Sequence, residues 1–388
     1  MRTKALTLPW LAAAAFAAAA LATAAPAAGA GRPLDRLLAL ERLPMSERQA
    51  AVTVLLVDHP FNPIIAGGDT LLLFYRGPGH DVRLAGDQTA WLPTMPLAHL
   101  PGTDLWSCVL VLPPQARVDY KFVVDSLWLL DARNPRTCTG GFGPNSEVRG
   151  IDYREPEFVS APATALCRTD RYELPAPALG GPREVLVLTP PGEPRGRRPC
   201  LLVHDGLEYV TLGGLDRALA WLAEHRPELD LPICVCVPPG RRTEEYAGGL
   251  QEPFGLWVTG TLQPFIAVQH DVGMTWGVLG ASYGGNSALD LARRYPGRFD
   301  RVAAMSPYVA PELKIAYAAM PPQSVRVYLN WGAFDLPQLI PMDREFAALL
   351  VDCGFACLSE EKPQGHSWGF WRDSVPSALS FLYSGTHR

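Results

Sequence analysis

The stretch Gly277–Ser287, GVLGASYGGNS, decides how the second half of this chain is interpreted. An apolar run ends at Gly280, and a pattern typical of a helix follows over 286–295. Between them, 280–284 has the form G-x-S-x-G. In this motif the serine lies on a tight, strained turn, and its small neighbours leave the hydroxyl exposed. The stretch therefore predicts that Ser282 is a nucleophile on a strand-to-helix turn.

The pattern around this motif repeats along the second half. From about residue 183, short apolar runs alternate with longer amphipathic segments. The predicted strands cover 184–189, 200–204, 233–237, 276–279, 302–305 and 325–329. The predicted helices cover 215–225, 256–270, 286–295, 344–353 and 370–383. Such alternation predicts a mainly parallel sheet flanked by helices, here an α/β-hydrolase fold over 183–388.

The first half follows a different pattern. Between residues 50 and 150, short β-type runs at 53–57, 70–75, 82–85, 105–112 and 120–124 are separated by turns. This spacing predicts a small all-β, immunoglobulin-like sandwich. The Pro- and Ala-rich segment 151–182 is predicted to be a linker between the two domains.

The first 30 residues are predicted to be a secretory signal. Arg2 and Lys4 precede an apolar stretch over 8–21, and small residues lead to a cleavage site after Ala30. The mature chain would then be periplasmic or extracellular, with no membrane span. An uncleaved N-terminal anchor is the alternative.

Composition excludes some classes of function. The net charge is −5 and the hydrophobic fraction is 48%, so the chain can form a large core but has no basic surface for nucleic acid. The eight cysteines form no C-x-x-C or Cys/His ligand pattern, which argues against a zinc site. Cys234 and Cys236 are predicted to be free and buried in a strand, whereas a disulfide between Cys138 and Cys167 stays open. Nothing in the sequence decides the oligomeric state.

A base and an acid should accompany the serine in the order Ser, acid, His. His366 follows a strand-like segment late in the chain and is predicted to be the base. Asp335 ends the strand-like run 325–331 and is predicted to hold His366 in the correct tautomer. Asp343 is the alternative acid, although a role as a helix cap is favoured for it.

Two backbone amides are predicted to form the oxyanion hole. One is the Tyr283 N–H, directly after the nucleophile, and the other is the Leu207 N–H in the loop after an early strand. In the same loop His204 and Asp205 are predicted to brace the backbone, and a catalytic role for them is the alternative.

Four motifs together resemble the esterase family of α/β-hydrolases that includes enterochelin esterases, feruloyl esterases, esterase D and mycolyltransferases. They are LVHDGL at 202–207, RTEEY at 242–246, GASYGG at 280–285 and GHSWGFWR at 365–372. The resemblance covers about 183–385 and implies ester hydrolysis through Ser282, Asp335 and His366, without metal or cofactor. It also places Arg242 and Glu245 near the substrate, and a structural ion pair is the alternative for these two residues.

The first half resembles a family 48 carbohydrate-binding module over 70–150. The motifs are VRLAGDQTAW at 82–91, YKFVVD at 120–125 and LWLLDARNP at 127–135. The resemblance implies sugar contacts by Trp91, Lys121, Trp128 and Asn145, since indole rings stack on sugars and polar groups reach hydroxyls. A packing or substrate-shaping role for these residues is the alternative.

The sequence therefore predicts an exported serine esterase acting on a small-molecule or polysaccharide-linked ester. Export and the sugar-type module favour feruloyl or acetyl esters of polysaccharides, with a siderophore or other small ester as the alternative. Acyl transfer to an acceptor alcohol would use the same acyl-enzyme. A different class, a non-catalytic glycan-binding protein with a degenerate hydrolase domain, is disfavoured by the intact Ser, Asp, His order.

Overall fold

The structure is a computed structural model that describes residues 32–161, 163–194 and 196–384. The predicted secretory signal, 1–30, lies outside these ranges. Among the residues that are described, no helix is both long enough and apolar enough to cross a membrane.

Within the described ranges, two helices precede the first strand, α1 (Pro33–Glu41) and α2 (Met45–Asp58). The prediction of a strand at 53–57 is wrong, because these residues belong to α2. Val52, Leu55 and Leu56 have helical spacing and pack on Leu72 and Phe74 of a sheet. The run looked like a strand because Val54 and Val57, which point to solvent, are also apolar.

Two antiparallel sheets follow and pack face to face. Their strands are β1 (Ile64–Gly67), β2 (Thr70–Arg76), β3 (Val82–Gly86), β4 (Met95–Pro96), β5 (Ala98–His99), β6 (Leu105–Val111), β7 (Arg117–Val124), β8 (Leu127–Leu129), β9 (Thr137–Gly140) and β10 (Gly143–Arg149). One sheet has the order β1-β2-β6-β5, and in the other β7 pairs with β3, β8 and β10. Alternate residues such as Leu71, Leu84 and Phe122 fill the core between the sheets. We call residues 32–150 the N-terminal part.

The second half contains one mixed sheet. Its strands are β11 (Arg168–Leu174), β12 (Arg183–Thr189), β13 (Arg198–His204), β14 (Ile233–Val237), β15 (Val272–Ala281), β16 (Phe299–Met305), β17 (Arg326–Phe334) and β18 (Ala356–Gly365). The order is β11-β12-β14-β13-β15-β16-β17-β18. Pairing is antiparallel from β11 to β14 and parallel from there to β18.

Helices cover both faces of this sheet. They are α3 (Glu157–Ser160), α4 (Gly206–Thr211), α5 (Leu215–His225), α6 (Arg242–Ala247), α7 (Gln251–Trp257), α8 (Gln263–Gln269), α9 (Tyr283–Arg294), α10 (Pro311–Ala319), α11 (Leu339–Asp352) and α12 (Trp368–Tyr383). Alternate residues of the buried strands, such as Val278 and Leu279 of β15, face two separate apolar clusters on opposite sides of the sheet. The chain is therefore a mixed α/β protein, as predicted, whereas its immunoglobulin-like class stays a prediction.

The segment predicted as a linker, 151–182, contains the outer strand β11. This strand pairs with β12 from Arg168–Thr189 to Leu174–Arg183, so its backbone hydrogen bonds complete the sheet edge. Its alternating exposed residues, RTDRYEL, hid the strand because only one face meets the core.

The two halves meet at the opposite edge of the mixed sheet. Gln364 near the end of β18 pairs with Arg117 at the start of β7. The N-terminal part therefore lies beside the carboxyl end of β18, which is where His366 follows.

Candidate active site

Ser282 lies directly between β15 and α9. Its backbone has φ 57° and ψ −122°, a conformation that L residues rarely adopt, and it is held by a hydrogen bond from the Ser282 N–H to the Met305 carbonyl at 2.8 Å. A residue held in this way at a strand-to-helix turn is typical of a functional site. The structure thus places Ser282 on the turn that its motif predicts.

The glycines of the motif are required by close backbone contacts. A Cβ on Gly280 would lie 2.2 Å from the Gly284 carbonyl oxygen, and one on Gly285 would lie 2.9 Å from the Cβ of Pro307. Strand and helix can therefore approach closely enough to form the sharp turn only because these positions lack side chains.

The predicted base and acid are hydrogen-bonded to each other. His366 Nδ1 lies 2.7 Å from Asp335 Oδ1, and Asp335 is 3% exposed. Burial works against the ionised carboxyl, but the His366 imidazole and the hydrogen bonds from Ser306 and the Leu336 N–H keep the pKa of Asp335 below its usual value. The carboxylate is thus charged near neutral pH and fixes the imidazole with Nε2 as the remaining basic nitrogen.

All three side chains follow parallel strands of the same sheet. Ser282 follows β15, Asp335 follows β17 and His366 follows β18, so the three lie at the carboxyl edge of one sheet. Across the described ranges, no hydrogen bond joins Ser282 Oγ to the imidazole. Such bonds are often long in enzymes without substrate.

Sequence reasoning missed Ser306, which follows β16 between the other two positions. Its hydroxyl bonds with the Asp335 carboxylate and accepts a hydrogen bond from Trp371 Nε1 at 3.2 Å. The Trp371 ring also meets the His366 ring edge to face, with centroids 5.1 Å apart. The sequence offered one signal for Ser306. It directly follows a predicted central strand, as Ser282 and Asp335 follow theirs, so all three could be expected at the same edge of the sheet.

Asp343, the alternative acid, has a different environment. It lies inside α11 and does not cap it, since the helix begins at Leu339. Its side chain is fully buried, and neither oxygen has a hydrogen-bond partner among the residues described. Burial and the charge of Asp335 raise the pKa of Asp343 to about 9, so this carboxyl is neutral at pH 7. The hydrogen bond to His366 belongs to Asp335 instead.

The two predicted oxyanion donors lie in the first turns of helices. Tyr283 begins α9, and Leu207 is the second residue of α4. Amides at these positions have no carbonyl within their own helix to bind, and the helix dipole favours negative charge beside them. Gly206 permits the turn, since a Cβ there would lie 2.4 Å from the backbone of Cys236.

Arg242 holds the Leu207 loop against the nucleophile turn. Its guanidinium donates to both oxygens of Asp205 at 2.7 Å and to the Ala281 carbonyl at 3.2 Å. Asp205 has φ 49°, and its N–H donates to the Tyr246 hydroxyl at 3.0 Å. Arg242 thus joins the Leu207 loop to the strand end before Ser282, whereas its predicted contact with substrate stays a prediction.

Glu245 is fully buried and pairs with Arg183. The alternative of a structural ion pair between Arg242 and Glu245 is therefore wrong, because Arg242 pairs with Asp205 and Glu245 pairs with Arg183. His204 is buried between Tyr246 and Phe254, and burial together with Arg242 lowers its pKa to about 3. A neutral, buried His204 matches the predicted structural role.

The predicted sugar-contact residues have different environments. Strand register places Lys121, Trp128 and Asn145 on the outward face of one sheet, and Trp128 is 47% exposed. Asn145 donates to Asp119, whereas Trp91 Nε1 donates to Asp87 at 3.0 Å. Trp128 is thus the most accessible indole of the set, and Trp91 is partly engaged within its own loop.

In the part of the chain that the structure describes, one cluster has ligand atoms close enough for a metal ion: Asp119, Cys138 and Glu147. Both carboxylates instead pair with the buried guanidinium of Arg117, and burial raises the pKa of Cys138 to about 11. A neutral thiol and two paired carboxylates do not fit a metal. All eight cysteines are free, including Cys138 and Cys167.

Residues 176–348 match the sequence model of the family described as "Putative esterase". No curated protein matches the chain. Among solved structures, enterochelin esterase from Shigella flexneri has a TM-score of 0.70 at 18% identity, covering 84% of this chain and 96% of that one. Ferric enterobactin esterase from Salmonella typhimurium has a TM-score of 0.68 at 19% identity, with 83% and 95% covered.

At these identities the structural likeness shows a shared fold, which includes much of the N-terminal part. The family match is independent of that likeness and takes in the turn at Ser282 and the strand end at Asp335. Over residues 176–348, somewhat less than half of its length, the chain is thus similar to this family of esterases.

Proposed function

We propose that the chain is a serine carboxylic-ester hydrolase that acts through an acyl-enzyme on Ser282. One observation carries the proposal: Ser282 occupies a strained strand-to-helix turn at the sheet edge that also holds the hydrogen-bonded His366 and Asp335. A serine needs a neighbouring base to attack an ester, and a base needs an orienting partner.

In the first step His366 Nε2 takes the proton of the Ser282 hydroxyl while Oγ bonds to the ester carbonyl carbon. The C–O bond to the alcohol then breaks, and the imidazolium returns the proton to the leaving alcohol. In the second step water repeats the attack with the same base, which releases the acid and restores Ser282. Asp335 stays ionised throughout and offsets the charge of the imidazolium.

The carbonyl oxygen becomes negative in both steps. The Tyr283 and Leu207 amides would donate to it, and removal of one such donor from an enzyme costs about 100- to 1,000-fold in rate. Arg242 supports this arrangement because it ties the loop of Leu207 to the backbone before Ser282.

The proposed substrates are feruloyl or acetyl esters of polysaccharides. The charge of Arg242 is compensated by the salt bridge to Asp205, so Arg242 offers no unpaired cation to an anionic substrate. This pairing favours a neutral ester as the substrate. An enterochelin-type ester is the second candidate, because the enterochelin esterase shares the fold over both halves. Hydrolysis rates on methyl ferulate, acetylated xylan and enterochelin, measured with one protein preparation, rank these candidates.

We also propose that residues 1–30 direct export and are then removed. Expression of the full chain with N-terminal sequencing of the exported product tests this, with Gly31 as the expected first residue. Retention of Met1 on a membrane-bound product would instead indicate an anchor.

Glycan binding by the N-terminal part is supported by one feature, the half-exposed Trp128 beside Lys121 and Asn145. Affinity electrophoresis on xylan and starch should show retardation that Trp128→Ala removes. Migration unchanged by either polysaccharide contradicts glycan binding without affecting the hydrolase proposal.

The decisive test compares wild type with Ser282→Ala on p-nitrophenyl acetate. The variant should lose at least about 1,000-fold in kcat, because attack by the serine is removed. A fluorophosphonate probe should label the wild type and not the variant. Equal rates for the two proteins would overturn the proposed mechanism.

A further inference from the structure

The loop that carries His366 is contacted by charged side chains of the N-terminal part. We use this name for residues 365–369, which are the last residue of β18, the two connecting residues His366 and Ser367, and the first two residues of α12. The first contact is a hydrogen bond from Arg117 Nη1 to Ser367 Oγ at 3.1 Å, between residues 250 positions apart. The residue next to the predicted base is therefore bonded to a strand of the other half of the chain.

Arg117 is fully buried and rigidly held. Its Nε donates to Glu147 Oε2 at 2.8 Å and its Nη2 donates to Asp119 Oδ1 at 2.8 Å. Glu147 is in turn paired with Arg149. Because two carboxylates of its own sheet fix the guanidinium, the remaining donor at Nη1 presents a fixed point to Ser367.

The two glycines of the loop are explained by the same contact surface. A Cβ on Gly369 would lie 2.1 Å from Arg117 Cζ, and one on Gly365 would lie 2.0 Å from Asp87 Cγ. Asp87 is itself held by the Asp119 N–H at 2.7 Å and by Trp91 Nε1. The glycines before and after His366 thus let the loop lie directly on Arg117 and Asp87.

The side chain of Ser367 takes part in this contact and not in capping its own helix. Ser367 is the N-cap residue of α12, where a serine hydroxyl usually accepts a hydrogen bond from the backbone of its own helix. The Ser367 side chain makes no such cap bond, and its oxygen accepts from Arg117 instead. The first turn of α12 therefore lacks a hydrogen bond to the side chain of its N-cap residue, and the loop has a hydrogen bond to the N-terminal part.

We infer that Arg117 is a positioning residue for His366: the N-terminal part holds the catalytic base in place through Arg117, Ser367 and the glycines on either side. This inference rests on the proposed serine mechanism. Trp371 and Asp335 fix the ring of His366 from the side of the mixed sheet, and Arg117 fixes its backbone from the other side. Misplacing a reacting group by about 1 Å can cost on the order of 100-fold in rate.

The test uses the full chain with Ser367→Ala and Arg117→Lys. Ser367→Ala removes only the hydroxyl that accepts the hydrogen bond. Arg117→Lys keeps the positive charge beside Asp119 and Glu147, but it lacks the planar guanidinium group whose third nitrogen reaches Ser367. Arg149→Lys is the matched control, since Arg149 also pairs with Glu147 but does not contact the loop. Ser367→Thr restores a hydroxyl at the loop position.

For p-nitrophenyl acetate we expect kcat to fall about 10-fold in Ser367→Ala and Arg117→Lys, while KM stays within twofold. The downfield proton resonance of the His366–Asp335 hydrogen bond should broaden in both. Arg149→Lys should retain the wild-type kcat and resonance, and Ser367→Thr should recover most of the rate. A merely structural contact would lower the melting temperature without changing kcat of the folded protein.

Two results overturn the inference. One is a kcat of Ser367→Ala within twofold of wild type with the resonance intact. The other is an equal loss in Arg149→Lys, which would indicate a general effect of the ion network. If Arg117→Lys does not fold, Ser367→Ala and Ser367→Thr decide alone. If Ser282→Ala is inactive while Ser367→Ala is fully active, only the positioning role fails, whereas activity in Ser282→Ala removes the proposed function itself.

Discussion

Two buried aspartates at the active-site edge have opposite protonation states. Asp335 receives hydrogen bonds from His366, Ser306 and a backbone amide, which stabilise its ionised form. Asp343 receives none among the described residues and lies within the field of Asp335, so its neutral form is favoured. The environment, and not the residue type, thus favours Asp335 over Asp343 as the acid of the proposed triad.

Asp335→Asn should lower kcat by about 1,000- to 10,000-fold with little change in KM. The amide no longer offsets the imidazolium, and it can hold His366 in the wrong tautomer. Steady-state hydrolysis of p-nitrophenyl acetate measures the loss. Asp343→Asn is the control, because replacing a neutral carboxyl by an amide of the same shape should leave kcat within a few-fold of wild type. A larger loss in Asp343→Asn than in Asp335→Asn would reverse the assignment.

Asp343→Asn should also change how stability depends on pH. An aspartate titrates near pH 4 in the unfolded chain, whereas the pKa of Asp343 in the folded chain is about 9. Between these values the folded state keeps a proton that the unfolded state has released, so this group's contribution to stability is lost as pH rises toward 9. The variant cannot titrate at this position. Its melting temperature relative to wild type should therefore increase from pH 5 to pH 9, and a constant difference would contradict the raised pKa.

At the scale of elements, the turn between β15 and α9 requires glycine at Gly280 of the strand but not at Gly273. Gly280→Ala places a Cβ 2.2 Å from the Gly284 carbonyl oxygen, whereas a Cβ on Gly273 of the same strand meets nothing within 4 Å. Gly280→Ala should lower the free energy of unfolding by about 1–3 kcal/mol and reduce kcat, since the displaced turn carries Ser282. Gly273→Ala should leave both within error of wild type. Urea unfolding and ester hydrolysis measure the pair, and similar effects in the two variants would contradict the steric argument.

Local sequence patterns predicted many of the elements of the second half. The strands at 233–237 and 302–305 and the helix at 215–225 could be predicted because apolar runs and helical spacing were clear within each segment. The strand ends at Ser282, Asp335 and His366 followed from the same patterns. Residues 53–57 were misread as a strand, because the surface on which α2 packs comes from β2, more than ten residues later.

The same limit hid Ser306 and Arg117. Nothing near Ser306 in the chain shows that Asp335 and Trp371 will meet it, and Arg117 finds Ser367 only after both halves have folded. Strand β11 was missed because only one of its faces is covered. Contacts that join distant segments leave little signal in the sequence between them.

At the scale of the whole molecule, the two halves are joined by a buried ion network and not by an apolar interface alone. Arg117 and its carboxylates lie at the centre, and the network extends through Arg149 and Glu155 to Arg372 of α12. Tyr153 adds a hydrogen bond to Asp373 at 2.8 Å. Because these contacts lie behind the loop of His366, we expect stability at the junction to be coupled to order at the active site.

Arg117→Met should therefore lower the free energy of unfolding by about 3–5 kcal/mol, because Asp119 and Glu147 would lose the cation that compensates their burial. Arg76→Met is the control in the same half of the chain, since Arg76 pairs with Asp104 while both side chains are 40% exposed. An exposed pair of this kind contributes about 1 kcal/mol or less. Urea denaturation followed by tryptophan fluorescence measures both variants. If the junction acts as one unit with the active site, Arg117→Met should also lose hydrolysis of p-nitrophenyl acetate at urea concentrations where Arg76→Met keeps it. Equal losses of unfolding free energy in the two variants would show that the buried Arg117 network stabilises the fold no more than an exposed ion pair does.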